Sequence, residues 1–265
     1  MARVSTRGGA IALTLAIGLC FAAGAPAHAD DPSSAPAAAA PNAAPSAATP
    51  AAKAPAAPVA KAPQVAWERI GDSDGIGVYR REVPGSPLIA FKGEGYIDAS
   101  IVRVASVLVD SNRATEWIDS LTESKIIRQI SETETVHYDH IGTPFVLKDR
   151  DFVSNCKLEF DPAKKNITLK IHAVSDPLAP PTSYVRGELI HSSFALTSTD
   201  HGKRTFVVAE IHADPKGSVA HWIVNLFQKK WPHNTITRLR AQTAKSDIQE
   251  HPKLKTELAK YGYLD

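Results

Sequence analysis

The sequence of 265 residues predicts an α+β fold: a curved antiparallel sheet wrapped around a long C-terminal helix, in a helix-grip arrangement with room for an internal hydrophobic cavity. Three observations predict it. Between Lys125 and Ala213 the hydrophobic period is close to two, in runs separated by Asp, Pro, Gly, Ser and Asn clusters. Helical spacing occurs on either side of that meander, near Ile101–Leu108 and again after Gly217. A long sheet curled around one helix is also hard to fill completely with side chains, which leaves room for a pocket.

Taken in order, residues 1–29 read as a secretory signal. Arg3 and Arg7 supply the charged region, Ala10 to Gly24 the apolar region, and Ala27-His28-Ala29 a small-residue cleavage site. Export to the periplasm, or out of the cell by another route, is therefore expected after cleavage near Ala29. Residues 30–64 are dominated by Ala, Pro and Ser with no aromatic residue, so they cannot bury enough apolar surface to offset ordering and read as a disordered linker. Folding concerns residues 65–250, with a tail at 251–265.

The signal holds two of the 30 basic residues and none of the 28 acidic ones, which leaves 28 against 28 in the mature chain. A net charge of zero gives no support to a nucleic-acid partner. Of the two cysteines only Cys156 lies beyond the signal, so no intrachain disulfide can form and stability has to come from a packed core.

Within the folded part, Trp67 to Ile70 reads as a helical turn. Gly77–Val83 and Leu88–Asp98 read as strands joined through Pro84-Gly85. Ser100 is placed to cap a helix whose Ile101, Val104, Ala105 and Leu108 share a face, and Asn112–Ile118 continues as a further turn. In the strand Arg150-Asp151-Phe152 onward, Phe152, Ser154, Cys156 and Leu158 share one face. Leu169 and Ile171 of a later strand share a face in the same way.

The terminal helix is expected to start at Ser218 and to carry Trp222, Ile223, Leu226 and Phe227 toward the sheet. Pro232 removes a backbone donor and bends or breaks the helix. From Pro215 to Lys245 there are six lysines and arginines and no Asp or Glu. Lys229 and Lys230 beside Trp231 are candidates for reversible docking on an anionic bilayer. The same cluster reads equally as a solvated face beside a core tryptophan.

These phrases in this order carry a resemblance. Val78–Ser86, Lys92–Ser100, Val107–Asp119, Pro144–Val153 and Asp214–Asn225, with Pro232 following in the terminal helix, resemble the StAR-related lipid-transfer (START) domains. The resemblance implies non-catalytic binding, and transfer between membranes, of one lipid: a sterol, a hopanoid-like lipid or a phospholipid. It also implies a gate at residues 141–148, where Pro144, Phe145 and Leu147 would line the mouth opposite Trp222 to Phe227, a ligand wall from Phe152, Leu158, Leu169 and Ile171, and polar contacts from Ser154, Cys156, Tyr138, His172 or Arg186. Its implied partners are a lipid, a transient membrane surface and a lipid-transport protein of the cell envelope, with no cofactor and no metal. The chain departs from some sterol-carrying members at Cys156, where they place a basic residue that pairs with an acid inside the cavity. The alternatives are a lipid-responsive sensor or adaptor of the envelope, or a grip-fold cyclase or hydrolase. For the enzyme reading, the chain has no phosphate-binding loop or dinucleotide glycine pattern, no strand-to-helix Gly-x-Ser-x-Gly elbow is expected, and alternation puts His137 and His140 on opposite faces.

Overall fold

The computed structural model describes residues 65–143 and 147–263. The signal and linker readings, and those at Pro144 and Phe145, lie outside these residues. The expected helical turn at Trp67 is instead strand β1 (Glu68–Ser73), paired antiparallel with β2 (Ile76–Arg81), which pairs with β3 (Ala90–Ile97). Gly71-Asp72-Ser73-Asp74-Gly75 has hydrolase-motif spacing, but it runs along β1 into the turn before β2. A nucleophile elbow joins a strand to a helix.

Helix α1 (Ile101–Val109) follows, with the Ser100 hydroxyl accepting from the Arg103 amide at 3.2 Å. Nearly every residue of α1 is buried, so it runs through the core rather than along the surface. A short 3₁₀ helix (Ser111–Glu116) leads to the meander. The meander consists of β4 (Leu121–Gln129), β5 (Glu134–Ile141), β6 (Arg150–Asp161), β7 (Asn166–Ala173), the two-residue β8 (Val185–Arg186), β9 (Glu188–Thr199) and β10 (Arg204–Asp214). The long strand β9 pairs with β10 through a register shift after His212.

The sheet runs β1-β2-β3-β10-β9-β7-β6-β5-β4, with β8 added to β6 in parallel. This corrects the expected wrap. β1 and β4 end the path and do not pair with each other, so the antiparallel sheet is open and does not close around a helix. The single long helix is also not formed. After β10 come α2 (His221–Gln228), α3 (Trp231–Ala244) and α4 (Pro252–Lys260). Ala220, not Ser218, precedes α2, with no side-chain cap. Pro232 falls in the first turn of α3, where its missing N–H would have had no intrahelical partner, so the chain breaks and restarts there.

Helix α3 lies on the β3 side of the sheet. A Cβ at Gly93 would stand 2.7 Å from Pro232 Cβ and 3.1 Å from Ile236 Cδ1, so glycine permits this close approach. The far end of α3 is held by Arg103, whose guanidinium donates to the carbonyls of Thr243, Lys245 and Ile248. The stretch read from sequence as a tail contains α4, whose Leu254 and Leu258, with Tyr263, are completely buried in the main core.

Candidate functional site

Alternation along β6 gives the inner row that the sequence predicts: Phe152, Ser154, Cys156 and Leu158 are buried and face the main core. Leu169 and Ile171 extend it across β7, where they pair with Leu158 and Cys156. On the neighbouring β5 the same face carries Thr135, His137, Asp139 and Ile141, because Thr135 pairs with Cys156, His137 with Ser154 and Asp139 with Phe152. On β4, Ser124 stands opposite Asp139. An otherwise apolar wall therefore contains a polar island.

That island is largely unpartnered. Thr135, His137, Asp139 and Ser154 are each 0% exposed. His137 Nε2 lies 3.0 Å from Thr135 Oγ1, but among the described residues His137 Nδ1, both Asp139 oxygens, Ser154 Oγ and Ser124 Oγ have no hydrogen-bond partner. Burial pushes the Asp139 carboxyl up to about 8, with nearby Ser124 opposing the shift, and burial pushes His137 down to about 4. Both groups are therefore neutral near pH 7. The Cys156 thiol is raised well above its ordinary range by burial and then by the nearby Asp139, which makes it a small wall residue rather than a nucleophile.

Two predicted polar contacts belong elsewhere. Tyr138 alternates onto the outer face of β5, where it packs against Val136, Val153 and Ala179. Arg186 also serves the outer face: its Nε donates to Asp151 Oδ1 at 2.8 Å, and Thr182 donates to Asp151 Oδ2 at 2.8 Å. The segment between β7 and β8 covers this side of the sheet, so β6 is buried on both faces and burial alone does not mark its inner row.

At the expected gate the described residues show a stapled base. His140 Nε2 lies 2.9 Å from Asp149 Oδ2, the Thr143 amide donates to Asp149 Oδ1 at 2.8 Å, and the His140 ring stacks on Tyr184 at 4.1 Å. Leu147 is half-buried in this segment.

Helix α2 is turned differently from the expectation. It buries Val224 and Gln228, with Ile223 and Phe227 half-buried, while Trp222 is 68% and Leu226 52% exposed. Gln228 Nε2 donates to the Ala213 carbonyl at 2.7 Å, and Asn225 bonds the Ile89 amide and the Pro87 carbonyl, which fixes this rotation. Trp222, Leu226, Lys229 and Lys230 consequently share an exposed face. Trp231 is corrected to a core residue. It is 1% exposed and its ring lies 6.0 Å from that of Phe194, because the break between α2 and α3 turns it inward. Beside α2 a groove of about 360 Å³ is lined by Ile70, Ile89, Phe91, Trp222 and Leu226 among others.

The START domain family matches residues 58–246. The chain belongs to the START domain family. Its START domain is 30% identical to the solved STAR-related lipid transfer protein fragment from Xanthomonas axonopodis, covering 68% of this chain and 99% of that one at a TM-score of 0.60. Human STARD10 has the same fold at a TM-score of 0.63 and 21% identity, with 72% of this chain and 76% of that chain covered. Among curated proteins, bovine phosphatidylcholine transfer protein is 28% identical over 176 residues, 64% of this chain and 81% of its own length. An uncharacterized protein of Pseudomonas aeruginosa is 26% identical over 181 residues, 68% of this chain and 87% of its own length. As a START domain the chain carries a non-catalytic lipid-binding and transfer function. Among the described residues no group of His, Cys, Asp and Glu could hold a metal ion.

The island at Asp139 is the part that sequence reasoning missed. The run Thr135-Val-His-Tyr-Asp-His-Ile141 alternates cleanly, but both of its rows mix polar and apolar residues. Only the shared row with Ile141 hinted which one faces inward.

Proposed function

We propose that this START domain shuttles a single lipid between membranes of the cell envelope, after export and removal of residues 1–29. The lipid's apolar part would lie between the inner face of the sheet and the helices α2 and α3, with Phe152, Cys156, Leu158, Leu169 and Ile171 as wall. A sterol, a hopanoid-like lipid and a phospholipid are the candidate cargoes. Carrying such a molecule through water otherwise exposes hydrocarbon at roughly 0.8 kcal/mol per CH₂, which an apolar protein wall offsets.

The observation that carries the reading is the exposed face of α2. Trp222 and Leu226 offer an apolar edge on the helix whose other side packs inward, and Lys229 and Lys230 continue the same face with positive charge. Trp222 is suited to the headgroup region, and each lysine near an anionic surface contributes about 1 kcal/mol. Docking through α2 would place the lipid surface against the one helix that has a side on the core and a side in solvent, so a small displacement of α2 during docking would open a path for the lipid.

The test is transfer of a labelled lipid from donor vesicles by the wild type and by Lys229→Glu/Lys230→Glu. Transfer from phosphatidylglycerol-rich vesicles should slow about tenfold, and transfer from pure phosphatidylcholine vesicles should change little. Equal slowing on both vesicle types would sink docking by this face.

A further inference from the structure

Buried polar atoms in folded proteins are almost always hydrogen-bonded, and each exception calls for a reason. Here five of the exceptions cluster. The two Asp139 oxygens, His137 Nδ1, Ser154 Oγ and Ser124 Oγ lack partners, and they sit on adjacent strands, paired residue to residue across β4, β5 and β6. Leaving each unsatisfied costs on the order of 1–3 kcal/mol, which a bound polar group would recover. They lie within the wall proposed above to face the lipid, bordered by Phe152, Cys156 and Ile141.

The chemistry of the island restricts what can enter. No lysine or arginine acts on the Asp139 carboxyl; burial and Ser124 are its only influences. Arg150, the buried cation at the start of the same β6 row, directs Nη1 to the Lys148 carbonyl and is influenced by Asp149. An anionic phosphate brought here would meet a carboxyl with no neutralising cation, at the full cost of burying a charge. A hydroxyl meets a matching set: a carboxylic acid that can donate and accept, an imidazole nitrogen, and two hydroxyls.

We infer that Asp139, with His137, Ser154 and Ser124, is the head-group subsite of this START domain and takes an uncharged, hydroxyl-bearing lipid in preference to a phosphate-bearing one. The inference rests on the lipid-shuttle reading above. Asp139 both donates to and accepts from the lipid hydroxyl, while the Ser154 hydroxyl donates to its remaining lone pair. The absence of a basic residue at Cys156 is then a matter of selectivity: the acid has no protein cation to pair with and stays free for the ligand.

The experiment measures extraction by the full chain from phosphatidylcholine vesicles that contain labelled cholesterol or labelled dioleoylglycerol, each compared with its O-methyl ether, and from vesicles in which phosphatidylcholine is itself the labelled lipid. For at least one of the two scaffolds the free alcohol should bind about tenfold better than its ether, and better than phosphatidylcholine. Asp139→Asn, which keeps a neutral donor and acceptor, should retain most of that preference. Asp139→Leu should abolish it while extracting alcohol and ether alike. Equal binding of alcohol and ether by the wild type, or phosphatidylcholine as the favoured cargo, overturns the head-group inference and leaves the shuttle standing. Failure to extract any of the lipids overturns both. The alcohol-to-ether ratio of the wild type decides the matter even if Asp139→Leu does not fold.

Discussion

Asp139 and Asp151 are both 0% exposed, lie on neighbouring strands of one sheet, and end in opposite states. Asp151, on the outer face of β6, accepts from Arg186 and Thr182. Burial alone would raise its pKa, but these partners outweigh that effect and it ends lowered, as an ion. Asp139, on the inner face of β5, has the Ser124 hydroxyl opposite it but no charged partner among the described residues, and burial keeps it protonated. One carboxyl is satisfied by the protein and serves architecture, tying β8 to β6. The other is left for something the protein does not supply, which is what distinguishes a binding face from a packing face when both are buried.

The comparison can be broken most strongly at the paired acid. Arg186→Ala should strand a buried carboxylate and cost about 3 kcal/mol, measured as a fall in the urea midpoint at pH 7. A loss near zero would mean that Asp151 is reached by water and that the two acids do not differ in kind. Next in size is Gly187→Ala, because a Cβ there would lie 2.3 Å from the Phe152 ring, which belongs to the inner row. We expect a loss of about 2 kcal/mol in the same measurement, together with weakened lipid extraction as the ring is displaced.

The orphaned acid should respond in the opposite direction. Between about pH 4 and pH 8 the folded chain holds a proton on Asp139 that the unfolded chain releases, so this group lowers stability progressively as pH rises through that window and no further above it. His137 acts at the other end: below its ordinary 6.5 the unfolded chain takes up a proton that the fold refuses down to about 4, so stability falls as pH drops. Asp139→Asn should therefore stabilise the protein increasingly as pH rises from 5 to 8, by on the order of 1 kcal/mol per pH unit, and should leave the acid-side slope from His137 intact. Thermal unfolding at a series of pH values reads this directly. A gain that does not depend on pH would show that Asp139 is ionised in the fold.

The smallest stability effect belongs to the surface. Trp222→Ala removes a side chain that is 68% exposed and should change stability by less than about 0.5 kcal/mol, yet slow lipid transfer severalfold. If transfer is unaffected, α2 docks by another face.

Much of this was legible in the residues. The period of two predicted a meander of strands between Lys125 and Ala213, Ser100 marked the start of α1, and Pro232 marked a break. The inner row of β6 was read correctly because Phe152, Cys156 and Leu158 leave little ambiguity. The rotation of α2 was not legible. Its apolar residues Trp222, Ile223, Val224, Leu226 and Phe227 cover more than half of the helix circumference, too wide an arc to say which part turns inward, and the anchors that decide it, Asn225 to Ile89 and Gln228 to Ala213, are long-range. The wrap around a long helix was an inference from helical segments at both ends of the meander, and strand pairing leaves β1 and β4 as separate edges.

By itself the sequence determined which residues share a face, where elements begin and break, and which family the chain resembles, because these follow from local geometry and backbone preference. Only the tertiary structure decided which face of β5 is the interior, which side of α2 meets solvent, and which of two buried acids has a partner. Alternation assigns neighbours to opposite sides without saying which side is covered, and that depends on segments distant in the chain arriving across the sheet.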